Sequence, residues 1–220
     1  MASFFNLTLD TTAPAGLTLK LNNGAAYATS TAVTATIGLT DSVTTGYQMK
    51  IWGVAGAATE TEAAWATFVK SKAITLASGD GQKTVSIKVR DDVGNETATV
   101  TAKITLDTAV PVVTITGPDK SKISKVATFN VSAFSFSANV DFEEYKIKVV
   151  PSESSLENAG TQIPVTAGST NTSGTTGGYK KDTAINVTIN GADLETASSG
   201  DGVKIVKVFV KNAAGTWSVA

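Results

Sequence analysis

One stretch of this chain is written twice. Thr8-Leu9-Asp10-Thr11-Thr12-Ala13-Pro14 returns 97 residues later as Thr105-Leu106-Asp107-Thr108-Ala109-Val110-Pro111. Ser78-Gly79-Asp80-Gly81, followed by the alternating Val85, Ile87 and Val89, returns as Ser199-Gly200-Asp201-Gly202 with Val206, Val208 and Val210. The second offset is 121 residues and holds without a gap. Such a repeat confines the chain to two copies of one domain, 1–108 and 109–220, and 121 − 97 = 24 residues are an insertion in the second copy. Neither repeated segment carries a catalytic side chain, which points to a building block.

The local pattern is that of strands. Val33, Ala35, Ile37 and Leu39 alternate with polar residues and glycine, the period of a half-buried strand. Tyr47, Met49 and Ile51 do the same, and Val85 to Val89 form the clearest strand of the first copy. Asp91-Asp92-Val93-Gly94-Asn95 is a turn, with Thr97 to Leu106 as the returning partner. In the second copy Phe129, Val131 and Ala133 are expected to repeat the first alternation, and Tyr145, Ile147 and Val149 to match Tyr47, Met49 and Ile51. Thr59 with Glu62 suits a capping box and predicts a short helix that sets Trp65 and Phe68 on one face, plugging the end of the fold. Pro151 to Glu157 is a weaker echo. The fold class expected is all-β: two antiparallel β-sandwiches with one or two helical turns. The insertion, around 151–181, is polar and rich in Gly and Thr, and is expected to be an exposed, mobile tip.

Composition narrows the chemistry. There are 18 basic and 19 acidic residues, and the first 108 residues carry 8 and 9 of them, so neither half offers a basic surface to nucleic acid. No apolar run reaches the length of a membrane span, and the first residues do not read as a secretory signal, so neither membrane nor leader is expected. The absence of cysteine and histidine removes disulfides, thiolate nucleophiles and imidazole catalysis. Glu143 and Glu144 fall on opposite faces of a strand, and Glu60 and Glu62 diverge on a helix, so no paired-carboxylate centre is expected. No enzyme and no cofactor are expected. Sequons at Asn6, Asn95, Asn130, Asn171 and Asn186 reflect composition alone.

Leu9 to Pro14, Trp65-x-x-Phe68, Ser78-Gly79-Asp80-Gly81-x-Lys83-Thr84-Val85 and Val89-Arg90-Asp91-x-x-Gly94-Asn95 together resemble bacterial immunoglobulin-like repeats. The first copy resembles them throughout. The second departs at Thr216-Trp217 and in the insertion. The resemblance implies tandem immunoglobulin-like sandwiches, of the kind found in virion proteins of tailed bacteriophages and in bacterial surface adhesins. It implies a structural protein on a virion exterior, a decoration of capsid, neck or tail partnered by other virion proteins and by copies of itself. The alternative it implies is an adhesin module that binds a glycan or protein.

Three sets of residues are candidates for binding. Asp10, Asp91, Asp92, Asn95 and Asp107 sit at domain ends and are the candidate oxygen ligands for calcium, although turn chemistry alone accounts for them. Trp52, Asn171, Tyr179 and Trp217 are candidates for stacking or bonding to a bacterial surface glycan. The third set concerns assembly. Residues 3–9, with Phe4, Phe5, Leu7 and Leu9, align with the last strand of a domain, whereas the second copy has little after Gly215 to form that strand. Donation of this strand to a neighbour is expected to gain about 1 kcal/mol per hydrogen bond and roughly 1.5–3 kcal/mol per buried large apolar side chain.

Overall fold

The computed structural model describes residues 5–125, 131–165 and 168–219. The chain forms two compact units, Met1–Thr108 and Ala109–Ala220. Both are built almost wholly of antiparallel strands.

The first unit contains β1 (Thr18–Leu21), β2 (Tyr27–Ala28), β3 (Ala32–Gly38), β4 (Gln48–Trp52), β5 (Ala66–Thr67), β6 (Ser71–Thr75), β7 (Gly81–Arg90) and β8 (Val100–Leu106). One sheet has the order β1-β3-β6 and the other β2-β8-β7-β4-β5, with β2 parallel to β8. Val33, Ala35 and Ile37 of one sheet meet Met49, Val85, Ile87 and Val89 of the other in a buried apolar core. Two sheets with this strand order, and the short second segment β2 parallel to the last strand, make an immunoglobulin-like sandwich.

The second unit repeats the plan with β9 (Val113–Thr116), β10 (Val131–Ala138), β11 (Glu144–Val150), β12 (Thr161–Gln162), β13 (Ser173–Gly174), β14 (Ile185–Asn190), helix α1 (Gly191–Ala197) and β15 (Ile205–Lys211). One sheet is β14-β10-β9. In the other, β12 and β13 lie end to end along one edge of β11, and β15 occupies its other edge. Phe136, Phe142, Tyr145, Ile147, Val187, Val208 and Val210 fill its core.

Five expectations need correction. The helix over 59–68 does not form. Glu62 accepts hydrogen bonds from the backbone N–H groups of Ala58 (2.7 Å) and Thr59 (3.1 Å), but the chain leaves that turn extended into β5. Phe68 then enters the core, while Trp65 lies under Lys50 and Arg90 on the outer face. Residues 151–157 form turns, and the helix of the second unit is α1, capped by Asn190, whose Oδ1 accepts from Ala192 N–H at 2.8 Å. Asn190, an N-cap residue with the acidic Asp193 in the turn after it, was the available signal.

The inward face of β10 is also out of phase with expectation. Phe134, Phe136 and Ala138 turn to the core, whereas Ala133 does not join it and Phe129 lies outside the described residues. In Ala133-Phe134-Ser135-Phe136-Ser137-Ala138 both phases carry apolar residues, and the larger rings take the interior. The partner of Val210 is Tyr145, as the partner of Val89 is Met49, so Tyr145 takes the place of Met49 and not of Tyr47. A slip of two residues keeps the face and is invisible to periodicity.

The insertion, finally, is largely exposed as expected, but it is pinned to the sandwich at a few points. Thr172 and Ser169 are buried because their polar groups are met: Thr172 Oγ1 donates to Ile163 O at 2.9 Å, and Ser169 Oγ accepts from Asn190 N–H at 2.9 Å. The 151–160 loop is tied to the outer sheet face by lysines. Lys148 Nζ donates to Glu157 O (2.6 Å) and Lys207 Nζ to Glu153 O and Ser155 O (2.8 Å each). Satisfied buried polar groups, together with Ile163 and Tyr179 packed on the core, hold this segment down.

Candidate functional site

In the first unit β8 completes the sandwich. It pairs with β7 from Gly81↔Leu106 to Ile87↔Val100, and its Ile104 and Leu106 enter the core beside Leu21 and Val85. The turn leading into it is fastened by Thr97, whose N–H donates to Val89 O (2.9 Å) and whose Oγ1 accepts from Val89 N–H (3.1 Å).

The second unit repeats that fastening. Ser218 N–H donates to Val210 O at 2.8 Å, and Ser218 Oγ accepts from Val210 N–H at 3.2 Å. Val210 therefore stands for Val89, and Gly202 to Val208 stand for Gly81 to Ile87. Among the described residues, no strand pairs with that free edge of β15. A groove of about 680 Å³ runs beside it, lined by Ile115, Phe134, Ile189, Leu194, Val206 and Val208. Ile115 faces Phe136 as Leu21 faces Ala35, yet Leu21 is 2% exposed and Ile115 45%. Val85 is fully buried, whereas its counterpart Val206 is only partly so. Lys120, Lys122 and Lys204 stand along the groove, and Lys204 Nζ donates to Ser199 O (3.0 Å) as Lys83 Nζ donates to Ser78 O (3.1 Å). An apolar slot beside a strand edge that no described strand pairs has the form of a strand-accepting surface, where main-chain bonds supply attraction and the slot selects alternate side chains.

The N-terminal candidates are found outside any sheet. Phe5, Leu7 and Leu9 are 85%, 87% and 85% exposed, and residues 5–10 pair with no described strand. Phe4 lies outside the described residues.

The glycan candidates do not converge. Trp52 ends β4 opposite Ser86. Tyr179 stacks on Phe142 with centroids 5.0 Å apart and meets Tyr145 edge-on at 5.2 Å; burial first, and then Tyr179, push the Tyr145 phenol up. Asn171 takes a left-handed backbone, φ 55°, and its Nδ2 donates to Asn186 O at 2.7 Å. Trp217 lies beneath Lys146 and Lys211, 4.7 and 5.2 Å from its centroid. These lysines occupy the places of Lys50 and Arg90 around Trp65, so the two units build the same cation–π cap with tryptophans from different parts of the chain. Below Trp217, the Lys211 ammonium holds the Glu144 carboxyl below the usual range against the opposing effect of burial.

The acidic candidates act as turn residues where the structure gives them bonds. Asp91 Oδ1 accepts from the N–H groups of Val93 (3.1 Å), Gly94 (2.7 Å) and Asn95 (2.8 Å), and Oδ2 accepts from Asn95 Nδ2 (2.8 Å). Burial acts to raise its pKa, but these donors outweigh it and hold the carboxyl below the usual range. Asp10 Oδ1 accepts from Thr12 N–H (2.9 Å), and Asp10 O accepts from Asn95 Nδ2 (3.3 Å). Asp92 is exposed, and the N–H of Asp107 donates to Ala28 O at 2.9 Å. Among the described residues, no three of His, Cys, Asp and Glu are grouped to hold a metal ion.

No family model matches the chain, and no curated protein matches it. Among solved structures it is similar to the fibronectin(III)-like modules of CbhA from Clostridium thermocellum, at 9% identity and a TM-score of 0.48, over 92% of this chain and 90% of that one. It is similar to a protein from Corynebacterium diphtheriae described as membrane anchored, at 14% identity and a TM-score of 0.34, over 93% of this chain and 56% of that one. It is also similar to chitinase ChiA74 from Bacillus thuringiensis, at 13% identity and a TM-score of 0.31, over 92% of this chain and 30% of that one.

Proposed function

We propose that this chain is a non-enzymatic assembly module, and that it decorates the exterior of a tailed-bacteriophage particle on the capsid, neck or tail. The observation that carries the assembly reading is the free edge of β15 beside its apolar groove, at the position that β8 fills in the first unit. A surface of this kind is satisfied by another polypeptide and not by a small polar substrate. The virion location rests on the resemblance of Leu9–Pro14, Ser78–Val85 and Val89–Asn95 to bacterial immunoglobulin-like repeats of phage particles. Mass spectrometry of density-purified particles tests it: the protein should be present at a fixed ratio to the capsid protein. Its absence there, with recovery from bacterial envelopes, would overturn the virion reading.

A second reading, an adhesin module that binds a glycan, is favoured by one feature. Gln162 Oε1 is buried with no hydrogen-bond partner among the described residues, beside a cleft lined by Tyr145, Lys148, Thr161, Ser173 and Thr175. Binding to bacterial polysaccharide that Gln162→Ala weakens tenfold would support it; equal binding by both proteins would exclude this cleft.

A further inference from the structure

We propose that the groove beside β15 is filled by the N-terminal segment of a second copy of this chain, in a defined antiparallel register, so that copies join head to tail. The proposal deepens the assembly reading above by naming the partner. Two independent observations meet in it. Among the described residues no strand fills the groove as β8 does in the first unit, and residues 5–9 carry the sequence of that strand while exposed and paired with no described strand.

The match is residue by residue. In the first unit the inward side chains of the last strand are Ile104 and Leu106, followed by Asp107 and Thr108. At the repeat offset these positions are Leu7, Leu9, Asp10 and Thr11. The apolar side chains of Leu7 and Leu9 would thus stand where two core residues stand, and Phe5 would follow on the same face, over Val206. Carried over from Gly81↔Leu106, Lys83↔Ile104 and Val85↔Ala102, the register sets Gly202 opposite Leu9, Lys204 opposite Leu7 and Val206 opposite Phe5. The fastening at the strand's end carries over too. Asp80 Oδ1 accepts from Thr108 N–H (3.0 Å) and Thr108 Oγ1 (2.8 Å), and the corresponding pair is Asp201 with Thr11. Ile115 and Val206, partly exposed in the single chain, are the residues that the donated side chains would cover.

The same register places the outward-facing Thr8 opposite Val203, as Thr105 lies opposite Gln82. The chain has no cysteine, and both positions are exposed, Val203 at 96%. Thr8→Cys and Val203→Cys, made in separate full-length chains and mixed under mild oxidation, should give a disulfide-linked mixed dimer on a non-reducing gel. Thr8→Cys mixed with Lys204→Cys, whose side chain turns to the other face, should give at least tenfold less. Light scattering of the full chain should show concentration-dependent association that Leu7→Asp with Leu9→Asp abolishes. No mixed dimer, equal yields from both pairings, or a link formed only within one chain carrying both cysteines would overturn the proposal. Particle mass spectrometry reads location and the disulfide reads strand exchange, so either reading can fail alone.

Discussion

Leu21→Ala and Ile115→Ala remove similar side chains from the same place in the two sandwiches, yet should differ several-fold in cost. Leu21 sits at 2% exposure in a filled core. Truncation there loses transfer free energy and leaves a cavity, about 2–5 kcal/mol in all. Ile115 is 45% exposed at the mouth of the groove. Only about half of the roughly 1.5–3 kcal/mol of a buried aliphatic side chain is realised at such a position, and with no closed cavity left behind the loss should be about 1 kcal/mol. With a urea slope of about 1–3 kcal/mol per molar, a loss of about 3 kcal/mol moves the midpoint of the first unit by roughly 1–3 M, and Ile115→Ala should move that of the second by well under half as much. Trp52 and Trp65 report on the first unit and Trp217 on the second, so fluorescence of single-tryptophan variants separates the transitions. The measurement belongs at nanomolar chain concentration, where copies are apart. A peptide spanning Ser3 to Thr12 should then raise the cost of Ile115→Ala towards that of Leu21→Ala, because it covers the residue. Equal losses at the two sites without peptide would refute the reasoning, since Ile115 would already be covered.

Two further predictions follow from backbone and charge. Gly53 and Gly56 both take φ near +80°, but a Cβ at Gly53 would collide with Thr84 O whereas one at Gly56 meets nothing within 4 Å. Gly56→Ala should therefore cost about 1–2 kcal/mol of strain, and Gly53→Ala clearly more, as read by thermal melting of the first unit. The folded-state pKa of Asp91 is lowered, so its contribution to stability is complete above the unfolded-state value of about 3.9 and fades as pH falls through the lower folded value. Asp91→Asn should lower the urea midpoint at neutral pH and flatten its decline below about pH 4. An unchanged acid limb would show that another carboxylate dominates.

The internal repeat and the period-two alternation made the architecture readable from the chain itself, because both report which face of each strand is apolar. Val33, Ala35, Ile37, Val85, Ile87 and Val89 all reached the core expected of them. Local patterns said less where two solutions satisfy the same alternation. The two-residue slip of β11 against β15 and the phase of β10 were decided by cross-strand pairing and by which rings the core could hold. The helix over 59–68 was lost because Phe68 gains more in the core from an extended chain than a single capped turn returns. The insertion is pinned because Ile163 reached the core and Ser169, Glu153 and Ser155 met partners on distant elements, which no local composition reveals. The candidate site divides in the same way. The donor segment was legible, since Leu7 and Leu9 repeat Ile104 and Leu106 in order. The second copy's want of a partner strand was legible too, but the lining of the groove was not, because it is the space between Ile115, Phe134, Leu194 and Val206, residues from four separate elements that only the tertiary fold brings together.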